Sequence, residues 1–541
     1  MRASPIRSWE DALVMVLLAV FLMQAMTSAT RKSLTMDEYT HFGAAVSYVN
    51  KGYYGINVNH PPFSKVITGL SLLPLDTSIP ELPPEGVPIR QRFYGIRFCR
   101  SNAEDIERIT LFGRLPHMFI ALVLGVGLWL VARYFFGVAA GLAALALWAT
   151  DPNFIAHARL VHTDSDAAAF VFLCCACLAL LLYERPTYKH ALLFSLLFGL
   201  AVLTKYSALI LIGIIPVYCA LRELGVRKGY MGPLYGTGTP AAAATAPMTL
   251  ACTAVVVAAL ALILYRGQPQ WYFRGLAGIV EHNRAGHSAY LLGRWSRTGW
   301  WYYFIVALGV KAPLPLLGLA AIGLVAAARR FPGRGWYAFS IFMLPGLIWF
   351  VASMLSSINI GIRHILPAYA FLFLLAAAGA YELLRWRRAA AAVLVVLLSW
   401  QGVVAIRTFP DYIAYFNEAS GGPDSGIHYL ADSNLDWGQE MLSLRDYVKR
   451  ENIPEIVLRS LAAPAPDIYG IRTANPAGVK PSPDAPVFLA IGATEYARVM
   501  FGDPETYSAA REFLGDLDTV AVLGHSLYVY RVTEPFPADL P

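Results

Sequence analysis

Two adjacent carboxylates, Asp37 and Glu38, stand in "TMDEYTHF", directly after the first apolar stretch of the chain. A carboxylate presented at a helix start can take a proton from a hydroxyl. The same residues fit a capping box, Thr35 with Glu38, with Asp37 favouring the helix N-terminus. Further on, "NHPPFSK" sets His60 and Lys65 around two prolines that stop one helix and start the next. In "ARLVHTDSD", Arg159 precedes Asp164 at the head of another apolar run, where an unpaired carboxylate is costly. Asp164 or Thr163 there also reads as a plain helix cap. "LTKYSAL" puts Lys205 at a break between two short apolar runs, and "NIGIRHILPAY" puts Arg363 and His364 at the mouth of another. A snorkelling lysine and an interfacial anchor are the simpler readings of those two. Together the residues place carboxylates and fixed cations on one membrane face, where a lipid phosphate lies at headgroup level.

The elements that must position them are membrane helices. Of the 541 residues 57% are hydrophobic and 15% charged, against about a quarter charged in soluble chains. Apolar runs near the ~20 residues that span a bilayer predict about eleven spans, at 11–30, 116–134, 137–150, 165–183, 190–203, 207–221, 247–265, 312–328, 336–354, 363–383 and 389–406. The net charge of +7 does not imply nucleic acid, because Lys and Arg gather at the ends of these runs. With the N-terminus inside, every inside loop is basic: Arg2 and Arg7; Arg133; Arg185 and Lys189; Arg222, Arg227 and Lys228; Arg329, Arg330 and Arg334; Arg385, Arg387 and Arg388. Residues 407–541 then lie outside. "TSAT" after the first run also resembles a signal-peptide site, but removing that span would flip the parity of the rest.

Two loops and the C-terminal segment dominate the outer face. Residues 31–115 carry amphipathic, aromatic-rich patterning over 40–75, which predicts interfacial helices, then a proline-rich stretch from Pro74 to Pro88. Residues 266–311 contain "EHNRAGHSAYLLGRWSRTGWWYYF", with Trp and Tyr suited to a headgroup boundary. His282 and His287 there are acceptor-side candidates. Five residues apart, they do not share one helical face, so the expected metal is none; a divalent ion has no firm support and no cofactor is expected. From 407, "NLDWGQEMLSLRDYVKREN" reads as a helix, "EIVLRSL", "VFLAIGAT" and "HSLYVYRV" as strands, and "PETYSAAREFL" as a helix: a small α/β unit without cysteines. "DSNLDWGQE" spaces Asp432 and Asp436 loosely like a calcium loop without its twelve-residue pattern, so a helix cap with an ordered loop, or an acceptor-facing role, fits better. The Gly/Pro-rich loop at 229–247 has no Gly-Lys-Ser/Thr and no nucleotide cradle.

In order along the chain, "DE" after the first span, "HPPFSK", "R-x-x-x-x-D-S" from Arg159 to Ser165, and "LTKYSAL" resemble the protein O-mannosyltransferase family and its bacterial relatives. The aminoarabinose transferase of lipid A is a more distant cousin; all are polyprenyl-phosphate-dependent glycosyltransferases of the GT-C fold. The match holds to about residue 225 and more loosely to 406. It implies an α-helical polytopic membrane domain over 1–406, with 407–541 a soluble extracytoplasmic α/β domain. It implies an inner-membrane glycosyltransferase (hexosyl or pentosyl, mannosyltransferase-like) that moves a sugar from a polyprenyl-phosphate donor to a hydroxyl of a protein, lipid or glycan, with inversion. Asp37 matches the catalytic base and Glu38 its acidic neighbour that helps position the acceptor. His60 and Lys65 match a segment beside the site, and Arg159 and Asp164 the pair that shapes it. Lys205 matches a lysine near the lipid phosphate, and Arg363, more loosely, a basic residue at the same end. The chain departs from the eukaryotic members in its loop at 266–311, too short for their luminal sugar-binding domain, and in its C-terminal addition, which puts a protein acceptor in doubt. A flippase for lipid-linked glycans is the alternative; it should place charges within its spans and show an internal repeat, which this chain lacks. A non-catalytic assembly partner would leave the one-sided acid and base set without a purpose.

Overall fold

The structure, a computed structural model, describes residues 8–82, 91–183, 187–231, 240–386 and 388–540. Arg2, Arg7, Arg185, Arg387, and parts of the proline-rich stretch and of the loop at 229–247, lie outside them.

The helices of the first 408 residues are α1 Ser8–Ala29, α2 Met36–Val46, α3 Phe63–Leu72, α4 Gln91–Ser101, α5 Ile106–Phe136, α6 Val138–Ala149, α7 Pro152–Ala158, α8 Asp164–Tyr183 and α9 Tyr188–Thr204. They continue as α10 Leu211–Arg227, α11 Pro240–Leu264, α12 Gln270–Ala285, α13 Tyr303–Lys311, α14 Leu314–Arg330, α15 Arg334–Met354, α16 Leu366–Trp386 and α17 Arg388–Thr408. Among the described residues eight stretches are long and apolar enough to cross a bilayer, on α1, α5, α8, α10, α11, α15, α16 and α17; two bent pairs, α6 with α7 at 61° and α13 with α14 at 117°, bring the count to ten. Each of the eleven expected segments falls on a helix, the remaining one on the 17-residue α9. The chain is a multi-pass membrane protein.

The bends have local causes. Asp151 caps α7, accepting the Phe154 N–H at 2.9 Å with Pro152 in the first turn. That restarts the chain in a new direction after Thr150. The α5 helix begins ten residues before the expected span, and the extension carries Arg114, buried within the protein. Helices α2 and α3 are separated by a π-helical turn at Ser47–Lys51 and by residues 52–62.

Burial is uneven, and the unevenness places the site. Of the apolar windows, 78% of that on α8 and 72% of that on α16 is buried inside the protein, against 28% for α1 and α10 and none for α11. Helices α8 and α16 are therefore the central posts, with Asp164 at the head of one and Arg363 in the 3₁₀ turn that leads into the other. Helix α14 packs against α16 through two glycines. A Cβ on Gly379 would lie 2.0 Å from the Leu319 carbonyl oxygen, and one on Gly323 would lie 1.9 Å from that of Leu375. Small residues at such crossings let helix backbones meet.

A hairpin, β1 Ala289–Leu291 with β2 Arg294–Ser296, forms in the loop after α12. Beyond α17 the chain forms α18 Met441–Arg450, β3 Ile456–Arg459, β4 Val487–Gly492, α19 Ala493–Phe501, α20 Ser508–Asp516, β5 Thr519–Leu523 and β6 Leu527–Val532. The sheet order is β3-β4-β6-β5, with β3 and β4 parallel and the rest antiparallel. The helix expected over "NLDWGQEMLSLRDYVKREN" is shorter than its pattern. Residues 434–440 are irregular, and Gly438 at φ 85 ends any helical continuation.

Gly379→Ala should lower stability by about 1–3 kcal/mol through overpacking at the α14–α16 crossing. Gly402→Ala, whose Cβ would meet nothing within 4 Å, should not. Thermal unfolding of the purified protein in detergent reads both.

Candidate active site

The turn that presents Asp37 is fixed from below by Glu38. Arg114, in the middle of α5, donates Nε to one Glu38 oxygen at 2.8 Å and Nη2 to the other at 2.7 Å. The Thr35 and Val161 N–H groups add 2.9 Å bonds to the same carboxylate. The remaining guanidinium N–H groups bond the carbonyls of Ala29 (2.8 Å), Lys32 (2.9 Å) and Ser33 (2.8 Å). Burial pushes the Glu38 carboxyl up, and the Arg114 charge and hydrogen bonds more than reverse this and hold it below the usual range. Helix α1, the turn after it, α2 and the loop before α8 thus meet on one buried ion pair. Glu38 stands among the expected catalytic residues as a contact for the acceptor. Its oxygens are saturated by protein donors instead, and what it positions is Asp37.

Above that base lies a charge cluster. Asp164 contacts the Lys205 ammonium with one oxygen, while the other lies 3.3 Å from Arg363 Nη1. The same Nη1 is 3.1 Å from Asp37 Oδ2. Lys205 caps the end of α9 in extended conformation, so the helix stops and points its ammonium across to α8. His162 packs against Asp164, its Nδ1 lying 2.9 Å from the Asp164 backbone nitrogen and 3.3 Å from Asp164 Oδ2, and its Nε2 lies 2.7 Å from the His157 carbonyl oxygen. Side-chain exposure decides the roles available: 2% for Asp164, 10% for Arg363, 12% for Lys205 and 37% for Asp37. Asp37 is the carboxylate of this group that solute can reach. A cavity of about 160 Å³ lies against Lys205, with Ser207, Phe304, Trp349 and His364 in its walls.

The C-terminal segment closes the site. Residues 432–440, "DSNLDWGQE", run as a strap between the start of α2 and the turn of Arg363. On one side the Met36 N–H donates to the Trp437 carbonyl (2.9 Å) and the Ser33 N–H to the Gln439 carbonyl (3.1 Å). Lys32 reaches both Glu440 oxygens at 2.7 Å and also Asp411. On the other side Arg363 donates Nε to Ser433 Oγ (3.1 Å), and the Ile362 N–H donates to Asn434 Oδ1 (2.9 Å). The Arg363 guanidinium lies over the Trp437 ring, 4.3 Å from its centre. Lys311, buried under the strap, donates to the carbonyls of Asn434 and Ile413, both at 2.7 Å. The Asp436 carboxyl is pushed up to about 7 by burial, against the hydrogen bonds from Gly438 and Thr494.

The other expected residues fall in two groups. His60 shares the field of Lys205, Asp164 and Arg363; burial first, then Lys65, holds its imidazole well below the usual range, so it is neutral. Lys65 belongs elsewhere: fully buried, it donates to the carbonyls of His60 (2.6 Å) and Pro61 (2.8 Å) and orders its own turn rather than facing a phosphate. Arg159 is fully buried as well, and its charged neighbours are Arg114, Glu38, Glu440 and Asp411, not Asp164. His282 and His287, rings 6.0 Å apart, stand at the end of α12 and just beyond it. Among the described residues no three His, Cys, Asp or Glu side chains converge as metal ligands. Sequence reasoning missed Arg114, Ser433, Asn434 and Trp437. Only the polar motif in an otherwise ordinary C-terminal segment signalled the last three.

Residues 110–221, which carry Arg114, Arg159, Asp164 and Lys205, match the family model described as dolichyl-phosphate-mannose-protein mannosyltransferase. Among solved structures the chain resembles ArnT from Cupriavidus metallidurans bound to undecaprenyl phosphate. The two are 14% identical with a TM-score of 0.51, over 98% of this chain and 99% of that one. The apo form of the same protein gives 13% and 0.50, over 97% and 98%. The apo oligosaccharyltransferase of Archaeoglobus fulgidus gives 12% and 0.51, over 92% of this chain and 72% of that one. No curated protein matches. The architecture is that of the GT-C fold.

Arg114→Met should cost about 3–5 kcal/mol by stranding the Glu38 charge, and the added Glu38→Leu should recover much of the loss. Unfolding midpoints of the two single variants and the double variant measure this; a stable Arg114→Met would remove the ion pair from its supporting role.

Proposed function

We propose that this chain, a GT-C glycosyltransferase related to the O-mannosyltransferases, moves a sugar from a polyprenyl phosphate to an acceptor hydroxyl on the extracytoplasmic side, with inversion and with Asp37 as general base. The observation that carries the reading is Arg363, which joins the open carboxylate Asp37 to the buried Asp164–Lys205 pair beside an apolar-walled cavity. Base and cations thereby stand next to one another at the outer ends of the two central helices.

The chemistry follows from the charges. A carboxylate with a pKa near ~3.9 cannot strip an alcohol of its proton in advance. The proton must pass to Asp37 as the acceptor oxygen bonds the anomeric carbon and the bond from that carbon to the phosphate oxygen breaks. The electron pair of that bond leaves with the polyprenyl phosphate, whose growing charge Lys205 and Arg363 meet. Asp164 keeps both cations in place before the lipid arrives, and a phosphate of higher charge then competes for them. Undecaprenyl phosphate bound to the ArnT structure supports a polyprenyl carrier here. The basic residues Lys189, Arg222, Arg227, Lys228, Arg329 and Arg330 sit at the opposite helix ends, which supports an extracytoplasmic site.

Purified protein in nanodiscs, given undecaprenyl phosphate linked to mannose, glucose or 4-amino-4-deoxyarabinose with an envelope extract as acceptor, should release free undecaprenyl phosphate. Asp37→Asn should lower the rate 10²- to 10⁴-fold with an unchanged melting profile. Equal rates in both proteins would remove Asp37 from the chemistry.

A further inference from the structure

Five non-glycine residues among those described adopt left-handed backbone, and one of them, Asp432 at φ 56, stands at the site. Strain of this kind persists where surrounding structure enforces it, and it gathers where a side chain must be aimed. The enforcing contacts are visible: the Asp432 N–H donates to Thr494 Oγ1 (3.1 Å), and the next two residues are locked to Arg363 and Ile362. One Asp432 oxygen accepts the Ser433 N–H at 2.6 Å; the other accepts no hydrogen bond from any described residue. Titratable groups acting on this carboxylate include Arg363, His287, Asp37 and Asp436.

The loop after α12 brings His287 there. Its hairpin is pinned to the C-terminal segment by the Leu292 N–H on the Tyr429 carbonyl (2.9 Å) and the Tyr290 hydroxyl on the Ile427 carbonyl (2.8 Å). Lys205 and its cavity belong to the other flank, beside Asp164. The site thus has a cationic flank suited to the lipid phosphate and an outer flank with a second carboxylate and an imidazole.

We propose that Asp432 is a positioning residue for the acceptor, and that the acceptor is a hydroxyl-rich sugar or glycan headgroup. One hydroxyl reacts at Asp37 while a neighbouring hydroxyl donates to the open oxygen of Asp432, with His287 at the rim. An acceptor with a lone hydroxyl offers a donor to only one of the two carboxylates. This inference rests on the transferase reading above and names its acceptor class.

The test uses the full chain in nanodiscs with the same undecaprenyl-phosphate donors. Acceptor probes are methyl α-mannoside, which has several hydroxyls, and a threonine-containing peptide with one. Wild type should transfer to the methyl glycoside. Asp432→Asn should raise the KM for that acceptor at least ten-fold, leave the donor KM within two-fold, and shift the products from transfer towards hydrolysis of the donor. Asp432→Gly relieves the left-handed backbone, so it should melt no lower than wild type yet show the same loss. A purely structural aspartate would tolerate glycine there. Wild-type acceptor KM in either variant, a fall in kcat with both KM values unchanged, or transfer to the peptide alone or to neither probe would overturn the inference. Failure of the reading beneath it is seen separately, as no release of polyprenyl phosphate by wild type or no effect of Asp37→Asn.

Discussion

Arg363 is the hinge of the structure in the electrostatic sense. A carboxylate buried at the head of the most enclosed helix is tolerable only if cations meet it, and Asp164 has two, Lys205 and Arg363. That requirement forces α8, the end of α9 and the start of α16 together at one level of the bundle. Arg363 then has charge and donors in excess of what Asp164 uses, and these reach Asp37, Ser433 and the face of Trp437. The turn before α2 and the C-terminal strap are thereby tied to the same guanidinium. Removing it would leave two carboxylates facing each other and the strap without one of its anchors.

The C-terminal region is consequently part of the site's wall. Part of its hold on the turn before α2 is backbone: the N–H groups of Ser33 and Met36 and the carbonyls of Gln439 and Trp437 form a short ladder. Such contacts hold a turn at a fixed distance without restricting which side chains line the opening. The two pillars under that turn differ in kind. The Glu38–Arg114 pair is dry and saturated, whereas the Lys32–Glu440–Asp411 group joins the turn to the strap. Asp37, between them, is left open.

Much of this was legible in the sequence, for a physical reason. Asp37, Asp164, Lys205 and Arg363 each stand where an apolar run stops, and a charge in that position is conspicuous because hydrocarbon disfavours it. The spans themselves follow from length and hydropathy. Arg114 was hidden because its charge falls inside what becomes a helix, where it reads as a boundary rather than as a buried partner. Lys65 reads as a free cation in "HPPFSK", but its ammonium turns back onto two carbonyls of its own loop, a local closure that residue types do not reveal. The helix expected from Asn434 onward takes in most of the strap because the composition tolerates one, while Gly438 adopts left-handed backbone that no helix contains. Strand β5, half exposed and short, carries too little alternation to stand out.

The proposed reaction requires that the Lys205 and Arg363 cations receive the lipid phosphate while Asp37 faces the carbon it leaves. The most direct measurement is an electron cryomicroscopy structure of the chain in nanodiscs with undecaprenyl phosphate. The account predicts phosphate oxygens at about 3 Å from the Lys205 ammonium and the Arg363 guanidinium, the lipid chain running past Trp349, and Asp37 open to the outer side. Lipid phosphate bound elsewhere, with the Asp164–Lys205 and Asp164–Arg363 contacts intact and undisturbed, would contradict it.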